Sequence, residues 1–307
     1  MISKKNNSLA KNAKISLSAG DRAMTIFTYT FVTLCTLTVA YPMLNILSVS
    51  MSSYKSYIQN TMMVFPTELE FRAYQAVFRS SLLLSSYKNT IIITLMGTFL
   101  TLAITVLYAY PLSRPQLRLK PFFNTVLIFT MFFSGGIVPA FLLIRALGLI
   151  DTLAAQYLPS IFGAFNCALM VNFFRTIPEE LIEAAEIDGA NEPYILTRIV
   201  LPLSKPILAT IALFAAVGFW NSYFSAIIYI RSQAKWPVQL VLREILLASA
   251  TSALQAGFNL AELNQNNIPM DQLRYATLVV VMLPIMCVYP FLQKYFVSGV
   301  MLGAVKG

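Results

Sequence analysis

Histidine is absent from all 307 residues, and with it go His-based triads, imidazole proton shuttles and most zinc and haem sites. Charge is scarce too: 11% of residues are Asp, Glu, Lys or Arg, against about 25% in a soluble globular domain, which argues against a water-soluble globule. Cysteine is limited to Cys35, Cys167 and Cys287. Each lies in an apolar run without CxxC spacing, so they read as small apolar packers rather than a disulfide framework. There is no GxxxxGK[ST] phosphate loop, hence no visible means of hydrolysing ATP. The formal net charge of +9 comes without a basic stripe interleaved with aromatics; attraction to anionic lipid head groups accounts for it better than a nucleic-acid partner.

What the chain has is apolar length. Hydrophobic residues make up 57% of it, and six segments can each cross a hydrocarbon core about 30 Å thick, which takes roughly 20 helical residues. They are Met24 to Ser50, Asn89 to Tyr110, Phe122 to Ile144, Leu153 to Phe174, Ile207 to Ile230 and Tyr275 to Gln293, and none contains Lys, Arg, Asp or Glu. Every formal charge can therefore stay in water or among head groups. The expected fold is an all-α integral membrane unit of six transmembrane helices. The first run, at 27 residues, is too long for a signal-peptide core and no small-residue cleavage site follows it, so it is read as retained.

Lys4, Lys5, Lys11, Lys14 and Arg22 precede the first run, and Arg114, Arg118 and Lys120 follow the second. The positive-inside rule places both sets in the cytoplasm. That orientation puts 13 basic residues inside and 9 outside, a modest bias because the exterior loops Met51 to Lys88 and Arg231 to Arg274 carry several each. The chain then reads as a cytoplasmic N-terminal tail (1–23), a six-helix transmembrane domain (24–293) and a cytoplasmic C-terminal tail (294–307). Pro42, Pro139, Pro159 and Pro284 are expected to kink their helices, and Ser134-Gly135-Gly136 to mark an interruption or a close helix contact.

The most charged segment is the cytoplasmic loop 175–206, with six of the 13 acids. Thr176 and Glu179 have capping-box spacing with Pro178 between them, predicting a short helix whose early turns hold Glu179, Glu180 and Glu183. Gly189 is placed to close it as a left-handed cap, and Asn191 to open a second helix through Tyr194, Ile195 and Ile199 that Leu201-Pro202 stops. A helical hairpin on the inner surface results. Its acidity argues against a helix lying on anionic lipid, leaving a protein partner as the better reading.

Here the sequence resembles a known family. Glu183-Ala184-Ala185, three residues, Gly189, nine residues, Ile199, one residue and Leu201-Pro202 is similar to the EAA loop of ATP-binding-cassette importer permeases. Tyr110-Pro111-Leu112-Ser113-Arg114, Phe132-Phe133-Ser134-Gly135-Gly136, the stretch Trp236 to Glu244 and the tail Gly303 to Gly307 extend the resemblance over nearly the whole chain, to the maltose-permease-like carbohydrate permeases of the LplC/YtcP type. The resemblance implies a type I importer fold in a bacterial cytoplasmic membrane. It also implies that Glu183, Ala184, Ala185, Asp188, Gly189, Ile199, Leu201 and Pro202 couple the chain to an ATPase, with Ala184 and Gly189 on a coupling helix seated in an ATPase cleft. The implied partners are a second homologous permease chain, two ATP-binding-cassette ATPase subunits, an extracellular solute-binding lipoprotein and a sugar or oligosaccharide. ATP and Mg would be used by the ATPase; this chain would hold no cofactor or metal and would not itself be an enzyme.

Polar residues within the charge-free runs are the remaining signal. On the fifth run Gly218, Asn221, Ser222, Ser225 and Tyr229 share one helical face; on the fourth Gln156, Ser160, Gly163 and Cys167 do so, with Asn166 at the margin and Tyr157 near the outer end. Two readings stand side by side: glue between helices, or the wall of a sugar pathway. In the exterior loop an amphipathic helix around Val238 to Ala248, carrying Arg243 and Glu244, is a docking surface for the binding protein or a lid over the helix ends. Met51 to Lys88, with Phe65-Pro66 and Phe71 to Val77, is a second candidate contact. An ion-coupled secondary transporter is the alternative function, but its usual intramembrane acids or histidines are missing from the spans. A membrane-embedded enzyme would lack a base at membrane depth.

Overall fold

The computed structural model describes residues 18–60, 62–247 and 268–304. The tail lysines Lys4 to Lys14, Ala248 at the end of the expected exterior helix, and Val305-Lys306-Gly307 lie outside the described residues. Among the described residues the chain is helical between its connecting segments, with one isolated antiparallel bridge from Ser52 to Leu69. It divides into two compact units, Met1–Leu69 and Glu70–Gly307.

In the first unit α1 (Ala19–Ser50) and α2 (Tyr54–Gln59) are joined by a short turn. The Ser18 backbone N–H donates to the Asp21 carboxylate at 3.1 Å and starts α1. Over about 48 Å α1 exceeds the hydrocarbon thickness. The hydroxyls of Thr28, Thr36 and Thr38 donate to carbonyls four residues back, so they carry no unmet polar group into lipid. Its apolar side chains, including Phe27, Phe31 and Leu34, are exposed within this chain. The C-terminal end is tied down by Asn45, whose side-chain amide donates to the Met63 carbonyl at 3.0 Å.

The second unit is organised round one long helix. After α3 (Arg72–Arg79) comes α4 (Ser81–Ser113). Then follow α5 (Lys120–Phe132), α6 (Ile137–Ala146), α7 (Ala154–Tyr157) with a 3-10 turn at Leu158–Ser160, and α8 (Ala164–Phe174). Next are α9 (Glu179–Ile187), α10 (Glu192–Ile195), a π turn (Leu196–Val200), α11 (Leu201–Leu203) and α12 (Lys205–Trp220). The last elements are α13 (Phe224–Tyr229), a 3-10 turn (Gln233–Lys235), α14 (Val238–Leu247) and α15 (Met270–Ala304). Helix α4 packs against α8, α12 and α14, and α15 against α3, α12 and α14. Gly97 lets α12 close onto α4, since a Cβ there would stand 2.6 Å from the Phe219 ring.

Helices α1, α4 and α15 are each long and apolar enough to cross a membrane, and three bent helix pairs pass the same test together, giving up to six crossings if each pair is one span. The pair α5 and α6 turns by 112° at residues 133–136, so Ser134-Gly135-Gly136 is an interruption. Pro159 sits in the 3-10 turn at the 53° bend between α7 and α8. Pro139 is the third residue of α6, where a missing N–H costs no helical hydrogen bond, and does not kink it. Ile207 to Ile230 is not one continuous helix: α12 ends at Trp220, and Asn221, whose side-chain amide donates to the Val217 carbonyl at 3.0 Å, occupies the break. Among the cysteines only Cys167 is packed in a core; Cys35 and Cys287 are exposed on α1 and α15.

Candidate functional site

The loop between α8 and α12 folds as a helical hairpin, but not with every expected cap. Pro178, not Thr176, is the N-cap residue of α9, and no side chain caps this end. Proline at 178 drives Ile177 out of the helical region and moves the start two residues beyond Thr176, whose hydroxyl instead donates to the Phe173 carbonyl at 2.7 Å. Glu179 and Glu180 fill the first turn, where the helix dipole favours acids. The other end closes as a Schellman motif: Ala190 N–H donates to Ala185 O at 2.9 Å and Gly189 N–H to Glu186 O at 3.0 Å. Gly189 has φ of 83° and nothing within 4 Å of the place a Cβ would occupy, so conformation rather than crowding calls for glycine here.

Asn191 caps the second arm, its side chain accepting from Tyr194 N–H at 3.0 Å. That arm does not stop at Leu201-Pro202. Leu201 N–H reaches the Leu196 carbonyl five residues back, a π turn that widens the helix where the Pro202 ring enters. The arm runs to Leu203 and breaks at Ser204, where the chain turns 81° into α12.

Ile182, Ala185 and Ile195 face inward and join a core with Leu112 of α4 and Met170 and Phe174 of α8. Glu183, Ala184, Asp188, Gly189 and Pro202 are exposed, while Ile199 and Leu201 are half-buried. The outward rim is partly apolar: Ile187 is 87% and Tyr194 55% exposed. A cleft of about 570 Å³, bordered by Ala185, Asp188, Gly189, Tyr194, Arg198 and Ile199, opens on this side. Tyr110 and Arg114, which the sequence marks only as the ends of a shared motif, lie beneath the hairpin: Arg114 pairs with Glu186 and Glu192, and the Tyr110 hydroxyl donates to Glu192.

A second cavity, of about 270 Å³, lies where α4, α8 and α12 meet and is bordered by Thr101, Ser160, Asn166, Phe214, Gly218, Phe219 and Ser222. Of the pathway candidates Gln156, Tyr157, Ser160, Asn166, Asn221, Ser222, Ser225 and Tyr229, it brings together Ser160, Asn166 and Ser222 and leaves the others elsewhere. Gln156 is buried and donates to the Lys235 carbonyl at 3.1 Å. Tyr229 is buried and stacked on Phe141, with centroids 6.3 Å apart. Tyr157 is half-buried beside Phe219. Asn221 is exposed and accepts from Gln239 Nε2 at 3.2 Å, and Ser225 Oγ lies 3.0 Å from Ser222 Oγ. Thr101 belongs to a pattern visible in the sequence: Thr90, Thr94, Thr98, Thr101 and Thr105 recur every three or four residues on α4.

A third cluster ties the segment before α7 to the one after α13. The Asp151 carboxylate accepts from Ser232 Oγ at 2.6 Å, from the N–H groups of Ser232 and Arg231 at 3.0 and 3.1 Å, and from Lys235 Nζ at 3.1 Å. The Ser232 hydroxyl first, then the Ser232 N–H and Lys235, hold its carboxyl well below the usual carboxylate range. Nearby, α14 buries Val238, Val241 and Ile245 against α3 and α15 and keeps Arg243 and Glu244 paired at 2.9 Å, with Arg243 above the Tyr223 ring.

Residues 102–301 match the family described as binding-protein-dependent transport system inner membrane component. Protein LplC of Bacillus subtilis (strain 168) is 41% identical over 267 residues, covering 87% of this chain and 89% of the relative. The polygalacturonan/rhamnogalacturonan transport system permease protein YtcP of the same organism is 37% identical over 288 residues, 94% of this chain and 99% of its own. A chain from the crystal structure of a bacterial ABC transporter involved in the import of the acidic polysaccharide alginate superposes with a TM-score of 0.84 at 35% identity, covering 91% of this chain and 98% of that one.

Proposed function

Because the chain belongs to the family of binding-protein-dependent transport system inner membrane components, we propose that it is the permease subunit of an ATP-driven importer of carbohydrate, an oligosaccharide by analogy with its relatives. The carrying observation is the hairpin. A Glu183-to-Pro202 pattern that projects Glu183, Ala184, Asp188 and Gly189 outward, on a base packed into the helices, is built to meet another protein and pass on its movement. Its small side chains allow a groove to approach the backbone, and its partly apolar rim favours a protein over lipid head groups.

In this reading the hairpin faces the cytoplasm, as do both termini, and docks on one of two ATPase subunits, which use ATP and Mg. A second permease chain completes the pathway, and an extracellular solute-binding lipoprotein delivers the sugar to the opposite face, where α14 and the Asp151 cluster lie. The cavity beside Ser160, Asn166 and Ser222 forms part of this chain's share of the route. Its hydroxyls, amide and the Phe214 and Phe219 rings match the alternating polar and apolar faces of a sugar, and replaceable neutral hydrogen bonds suit a ligand that must leave again.

The test is to purify the chain from its native membrane with its partners, identify them, and reconstitute the complex in liposomes. ATPase and second-permease chains should co-purify, and sugar uptake should require ATP and a binding protein. Uptake driven by an ion gradient with no ATPase present would defeat the reading.

A further inference from the structure

We propose that Arg114 is a positioning residue that locks the hairpin to α4, so that movement of the hairpin is delivered to α4 as well as to α12, with which it is continuous. The inference rests on the reading of the hairpin as the coupling element.

Arg114 directly follows the last turn of α4 and its side chain is 8% exposed. Its Nη2 contacts Glu186 Oε1 and lies 3.5 Å from Glu192 Oε1. Glu186 lies in the last turn of the first arm and Glu192 starts the second, so one guanidinium ties both arms across the Gly189 turn. One turn earlier on α4, the Tyr110 hydroxyl donates to the other oxygen of Glu192. The ring of Tyr110 is itself held edge-on against Phe174 at 6.4 Å.

Apolar packing of Ile182 and Ile195 against α4 and α8 would hold the hairpin down but would let it slide, since such contacts have no direction. A single buried nitrogen, Nη2, held between two carboxylates has one register, and a buried guanidinium stripped of its partners is costly enough to keep the pairing closed. Lysine would keep the charge on a compact ammonium without the planar guanidinium, and so would hold the two acids less rigidly. The lock places the hairpin at one end of a rigid helix whose Thr101, 13 residues back and about 20 Å along the axis, borders the polar cavity. A displacement of the hairpin thus reaches the cavity from two sides, through α4 and through α12.

The test uses the complete complex with its ATPase, second permease and binding protein, and reads sugar imported per ATP hydrolysed in liposomes, with ATPase co-purification as the assembly check. Arg114→Gln should still assemble and hydrolyse ATP while import per ATP falls roughly tenfold, an ordinary size for a coupling loss. Arg114→Lys should fall between it and the native chain. Combining Arg114→Gln with Glu192→Gln should be no worse than Arg114→Gln alone, because the two residues act as one unit. An unchanged ratio in Arg114→Gln, or additive losses in the double variant, would overturn the lock. Should Arg114→Gln fail to assemble, Tyr110→Phe carries the test: it keeps the ring packing, removes one bond to Glu192 and should lower the ratio, and an unaltered ratio would overturn the proposal. If the native chain binds no ATPase at all, it is the coupling reading that fails, and the lock falls with it.

Discussion

Gly189 and Asp151 both adopt positive φ, 83° and 60°, but for different reasons that predict different responses. At Gly189 nothing crowds the Cβ position, so a substitution meets only the cost of the left-handed conformation, about 1–2 kcal/mol for a branched residue and less for Asn, which tolerates that region. Import at equal membrane level should therefore fall in the order glycine, Gly189→Asn, Gly189→Val; equal import by all three would show that the turn does not need its φ. At Asp151 the conformation is stabilised by the bonds its carboxylate accepts. The carboxyl is held below its ordinary 3.8, so the unfolded chain takes up the proton first. The cluster's contribution is present above 3.8 and is lost as pH falls from there through the folded value. Thermal unfolding in detergent should show the native chain losing more stability than Asp151→Ala between neutral pH and about pH 3; parallel losses would dismiss the cluster as a stabiliser.

Among the elements, the contact of α4 with α12 and the break after α12 make separate predictions. Gly97→Leu would drive carbon into the Phe219 ring, 2.6 Å from the first added atom, and overpacking of this kind costs about 1–3 kcal/mol. The midpoint of thermal unfolding should drop and be partly restored by Phe219→Ala, which opens the space; no restoration would place the damage elsewhere. The break at Asn221 to Tyr223 separates residues that a continuous helix would have put on one face. In a chain freed of Cys35, Cys167 and Cys287, cysteine at 160 or 222 should react with a water-soluble thiol reagent, and cysteine at 156 or 229 should not, because Gln156 and Tyr229 are enclosed by protein. Equal labelling of all four would dissolve the distinction between wall and packing.

Over the whole molecule, the six-crossing architecture and the hairpin were legible because their determinants are local: charge-free length, a glycine beyond a helix end, an asparagine before one. Thr176 misled because Pro178 shifted the helix start, an effect of the neighbouring backbone rather than of the cap itself. The break after Trp220 was hidden by a run that stays apolar on average, and the pairing of Arg114 could not be read, since its partners lie 72 and 78 residues further on. The second unit leaves Ser160 and Gly218 exposed beside its cavity, where a lone chain would offer them to hydrocarbon. With the ATPase and binding protein supplied, the chain in liposomes should thus import nothing until a second permease is added, and uptake without that permease would refute this. The π turn bears on how the chain can vary in length. It holds one residue more than a regular turn, so deleting one residue from 197–200 would turn the bond between Leu196 and Leu201 into an ordinary four-residue one and leave the faces on either side nearly as they are. Glu186 and Glu192 would keep their place beside Arg114. The arm can therefore lose one residue at this turn without losing its pairing, whereas the same deletion in a regular turn nearer the Gly189 bend would rotate what precedes it by about 100° about the helix axis.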